Sequence, residues 1–89
     1  MDRDQAEMQA ISGLQFIAGD PEQLARFLAL SGVAPADLRD SAASPDFLSG
    51  VLDFFLGDEA TLLAFAASTG CDPADIITAR NLLSRNRND

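Results

Sequence analysis

The chain has 89 residues, 47% of them apolar and 7% aromatic, with six Arg or Lys against 14 Asp or Glu and a net charge of −8. That composition describes one folded domain over 1–89 and excludes intrinsic disorder. The charge argues against nucleic acid as a partner, since phosphate contacts need Lys and Arg, and no apolar run reaches the roughly 18 residues of a membrane span.

Residues 1–4 are expected to be a disordered tail. From about Asp4 to Ala18, the residues Met8, Ile11, Leu14, Gln15 and Ala18 recur at helical spacing, with Phe16 and Ile17 broadening the stripe. Gly13 inside this helix costs about 1 kcal/mol relative to alanine. Gly19 ends it. Asp20 caps a second helix with Pro21 at its first position. Leu24, Phe27, Leu28 and Leu30 form its apolar face, and Gly32 stops it. Pro35 opens a short third helix, to about Asp40, that is expected to bury Leu38. Ser41–Ala43 reads as a loop.

Ser44-Pro45 is another cap-and-proline start. In the fourth helix Phe47, Leu48, Val51, Leu52, Phe55 and Leu56 share a stripe, and Phe54 makes its end apolar nearly all round. Such a helix is central to its fold. Gly57 is expected in the left-handed conformation that commonly ends helices. Asp58 caps a fifth helix carrying Leu62, Phe65, Ala66 and Thr69 on one face, and Gly70 closes it. Asp72-Pro73 begins a last helix through Ile76, Ile77, Leu82 and Leu83. Arg80 and Arg85 near its end suit the negative pole of the helix dipole. Residues 86–89 are expected to be a second disordered tail. All four prolines stand where a helix begins, so cap chemistry and periodicity agree on an all-α chain.

The chain also repeats itself at an offset of 38 residues. Leu14, Phe16, Gly19-Asp20, Leu24, Phe27, Ala29 and Gly32 match Leu52, Phe54, Gly57-Asp58, Leu62, Phe65, Ala67 and Gly70. Pro35-Ala36-Asp37 matches Pro73-Ala74-Asp75. Over Leu14–Leu38, 11 of 25 positions are identical without a gap, where composition alone gives roughly two. Two units are too few for an open solenoid. The expected architecture is therefore a compact bundle of five to six short helices in two similar halves, the central helix packing on its counterpart near Leu14–Ile17.

The stretch FIAGDPEQLARFLALSGVAPADLR, Phe16 to Arg39, followed by FLSGVLDFFLGDEATLLAFA, Phe47 to Ala66, resembles a family of small bacterial proteins, the domain of unknown function 3572. The likeness covers about residues 5–80. It implies a small, soluble, helical bacterial protein, and it implies no activity, cofactor or catalytic residue.

Little chemistry is on offer. There is no His, Lys, Tyr or Trp, which removes the commonest general base, Schiff-base chemistry and imidazole metal ligands. An enzyme is not expected, and neither is a cofactor or metal. Asp20, Asp58 and Asp72 mark different helix starts, so they are not expected to converge on an ion. Cys71, the sole cysteine, occupies the place of Val33 in the first unit. That suggests a small buried hydrophobe, while its position before a helix start is one that can lower a thiol pKa. A lone cysteine and an acidic start, MDRDQAEM, unlike a signal peptide, point to a cytoplasmic location.

Three functional readings remain. Phe54, Phe55 and Leu56 together are a candidate interaction surface, if not all of them fit inside, and this favours a protein-protein interaction module with an unidentified partner or a second copy. Asp40-Ser41 offers a carrier protein modified at a loop serine. The acidic body offers a mimic that binds a basic protein.

Overall fold

The computed structural model describes residues 1–84. Within them six α-helices and one 3-10 turn follow one another, with no strand. They are α1 (Arg3–Ala18), α2 (Pro21–Ser31), a 3-10 turn (Pro35–Asp37) running into α3 (Leu38–Ser41), α4 (Pro45–Leu56), α5 (Glu59–Thr69) and α6 (Pro73–Ser84). The expected tail at 86–89 and the expected role of Arg85 lie outside the described residues.

Cap chemistry sets most boundaries. Asp2 accepts from the Gln5 amide at 2.8 Å while the Gln5 side chain accepts from the Asp2 amide at 2.9 Å, a reciprocal box. The first helix therefore begins at Arg3, inside the 1–4 stretch. Asp20 and Asp58 cap α2 and α5, and Asp72 accepts from the Ala74 amide at 2.9 Å. Ser44 stands before α4 in extended backbone, but its side chain makes no capping bond. Pro45 starts that helix through its fixed φ and its missing amide, with Asp46 in the first turn.

Two kinds of helix end occur. Gly32 and Gly70 are left-handed, with φ of 73° and 72°. Gly57 is not, contrary to expectation: φ is −83° and ψ −6°, and Gly19 is alike at −78° and −8°. The residue after each must already be extended to cap the next helix. The exit is closed instead by tight bonds, Asp20 N–H to Ile17 O and Asp58 N–H to Phe55 O, each 3.1 Å. The Pro35 segment yields only four α-helical residues, because Pro45 holds Ser44 extended at φ −91° and ψ 127°.

Helices α1, α4 and α6 pack on one another, with α2 against α1 and α5 against α4 and α6. Phe55 of α4 is the hub. It is fully buried, stacks on Phe65 with ring centroids 4.6 Å apart and planes at 20°, and meets Phe16 at 6.0 Å. Phe16 meets Phe65 edge-on at 5.5 Å, and Phe27 meets Phe54 edge-on at 5.4 Å; both are favoured aromatic geometries. The Phe55 ring reaches α1 because position 13 is glycine: a Cβ there would lie 2.7 Å from its Cε2 atom.

α1 turns inward a face other than the one Met8 and Ile11 suggest, while α6 keeps its expected face apart from Ile77. α1 buries Ala6, Ala10, Gly13 and Ile17 and leaves Met8 68% exposed and Ile11 40% exposed. Gln15 and Ala18 are also outside. Small residues let α1 approach α4 and α6 closely, whereas Met8 and Ile11 on that face would hold them apart. α6 buries Ile76, Ala79 and Leu83 and leaves Ile77 outside. Leu38 is only half-buried, and Thr69, expected on the inner face of α5, is exposed.

Candidate functional site

Burial revises the aromatic patch expected at Phe54, Phe55 and Leu56. Phe55 is fully buried, Phe54 is 8% exposed and Leu56 is half-buried. Packing of α4 on three helices absorbs Phe55, so the three side chains do not form one surface. The edge of Phe54 instead belongs to a groove whose other members lie far from it in sequence.

That groove runs between α2 and α4, open on one side, with a volume of about 400 Å³. From α2 come Phe27 and, one turn on, Leu30 and Ser31; Val33 follows from the loop. From α4 come Asp46 and Phe47, then Gly50, then Asp53 and Phe54. These fall at i, i+3/i+4 and i+7, so one face of α4 lines the groove along two turns. Phe27 stands edge-on to Phe47, centroids 5.7 Å apart. Leu30 at the lip is 73% exposed. The groove escaped sequence reasoning because Phe27 and Phe47 read equally well as core. The one signal available was Gly50, a glycine inside a helix without a turn to make.

Two ion pairs lie near the Phe54 end of the groove. The Arg26 guanidinium lies 5.4 Å from the Phe54 ring centroid and donates to Asp58 at 2.7 Å. That bond, followed by the one from the Thr61 amide, holds the Asp58 carboxyl below its ordinary value. Arg80 donates to Asp53 at 2.8 Å, so it serves an ion pair with α4. Both pairs are exposed and contribute little to stability.

The other candidates are dispersed. Cys71 is half-buried against the core, and its Sγ accepts from Gln9 Nε2 and Thr69 Oγ1, both at 3.2 Å. Ser41 is the last residue of α3 rather than part of a loop, is half-buried, and its carbonyl accepts from the Ser44 amide at 2.9 Å. Asp20 and Asp72, like Asp58, are occupied with amides of their own helices. Among the described residues no three His, Cys, Asp or Glu side chains gather to hold a metal ion, and no helix is long and apolar enough to cross a membrane.

A family model described as "Protein of unknown function (DUF3572)" matches residues 3–86. No curated protein and no solved structure matches the chain.

Proposed function

We propose, from the premise that this chain belongs to the DUF3572 family, that it is a protein-binding module whose contact surface is the α2–α4 groove. The groove itself carries the reading. It is apolar and concave, lined by three phenylalanines, and lipped by an exposed leucine. Aromatic residues around a concavity are what interface anchors fit. The residue inventory supports binding over catalysis, since His, Lys and Tyr are all missing. A sole cysteine goes with a cytoplasmic setting.

The same reading takes the scaffold as two similar halves. Supporting this, α2 and α5 each span 11 residues, at an offset of 38. Gly19 and Gly57 have nearly the same backbone angles, and so do Gly32 and Gly70. The edge-on pairs Phe16–Phe65 and Phe54–Phe27 exchange under the same offset.

A photo-crosslinking residue placed at Leu30, and separately at exposed Ala67 on α5, tests the module in living cells. The expected result is a discrete protein adduct from position 30 and none from 67. Absence of adducts at both positions, with the protein folded and abundant, overturns it.

A further inference from the structure

We infer that the α2–α4 groove receives an amphipathic helix with basic flanks, its apolar face passing directly over Gly50. This rests on the binding-module reading and names the class of partner.

Gly50 is the observation that decides the shape of the occupant. It sits in the middle of α4, where glycine is disfavoured by its backbone entropy. Neither of the two usual reasons for keeping it applies. Its φ is not positive, that being confined to Gly32 and Gly70. A Cβ built on it meets nothing within 4 Å, whereas the same atom on Gly13 runs into Phe55. The only space it keeps clear is the groove that it lines. A glycine there leaves the α4 backbone bare between Phe47 and Phe54, which lets a second backbone come close. Two helix faces converging on an apolar trough fit a third helix presenting anchors at i, i+3/i+4 and i+7.

Charge decides between partners. A second copy would bring −8 against −8, which disfavours self-pairing. A helix with Lys or Arg beside its apolar face meets the opposite situation. Asp53 is already held by Arg80, so the attraction comes from the field of the whole acidic body and not from one pair.

The test is an NMR titration of the full-length protein with a synthetic peptide of about four helical turns. It carries leucines at i, i+4 and i+7 and lysines beside them; a twin carries glutamates in place of the lysines. The lysine peptide is expected to shift amides of α2 and α4 selectively, with the response centred on Gly50. Affinity should fall at least tenfold for the glutamate twin and for Gly50→Leu, and should weaken as salt is raised. Gly50→Ala, which cannot disrupt the fold by collision, should weaken binding to a lesser degree. Equal binding by Gly50→Leu, shifts spread over the other helices, or no binding overturns the inference. So does a groove-mediated dimer seen by sedimentation, which would make a second copy the occupant. If Leu30 crosslinks in cells while no lysine peptide binds, the module stands and its helical basic partner falls.

Discussion

The α2–α4 groove and the region where α1 meets the chain after α5 occupy matching sequence positions at an offset of 38 residues, yet the first is faced by aromatic and apolar residues and the second by polar ones. Phe47, Val33, Ser31 and Gly50 on the first side correspond to Gln9, Cys71, Thr69 and Ser12 on the second. On the second side, Gln9 and Thr69 both donate to Cys71 at 3.2 Å, so polar groups partner one another there. At the groove the same places hold an aromatic ring, a valine and a bare backbone. In sequence, Phe16, Gly19-Asp20, Phe27 and Gly32 recur at the same offset as Phe54, Gly57-Asp58, Phe65 and Gly70, whereas Phe55 stands against Ile17. The groove, where the proposed function is placed, is one of the places where the two stretches differ in sequence.

The largest test of this contrast compares Phe65→Ala with Phe27→Ala. Phe65 is sealed and stacked on Phe55, while Phe27 forms part of the groove wall. Phe65→Ala should cost about 5 kcal/mol, and Phe27→Ala about 3, the two ends of the usual range for buried rings. Urea denaturation measures both, and equal losses would erase the distinction between the two sides.

Next come the two glycines inside helices. At Gly13 a methyl group collides with a ring packed on all sides. An overpacking cost of about 1–3 kcal/mol competes there with a helix-propensity gain of about 1, so Gly13→Ala should destabilise. Gly50→Ala has no collision and should stabilise by up to about 1 kcal/mol. Opposite signs in parallel thermal melts sharpen the case that Gly13 serves the core and Gly50 serves the groove; the same sign at both positions would break it.

The smallest effect concerns Asp58, which ties the end of α4 to α2 through Arg26. Its folded pKa lies below the ordinary 3.8. The unfolded state therefore takes up the proton first as pH falls. The contribution is complete at neutral pH and is lost as pH drops below about 4, through the folded value. Asp58→Asn should flatten that acid limb of the stability profile measured by urea denaturation across pH, and an unchanged limb would refute the tie to Arg26.

Much of the fold was legible because its punctuation is local. Asp20, Asp58 and Asp72 cap the helices that follow, prolines open four segments, and Gly32 and Gly70 end α2 and α5 in the left-handed form. Each of these depends on a few neighbouring residues, so the linear sequence by itself determined an all-α chain and nearly all of its boundaries. Which face each helix turns inward was decided only by the tertiary structure. In α1 the large side chains Met8 and Ile11 argue for one face, and the close approach of α4 and α6 selects the opposite one, built from Ala6, Ala10 and Gly13. Hydrophobic periodicity registers size and apolarity, while three helices in mutual contact reward smallness at the crossing. The groove is settled at the same level. Phe27 and Phe47 look alike in sequence whether a neighbour covers them or not, and only the placement of α2 beside α4 shows that none of the described residues fills the space above Gly50.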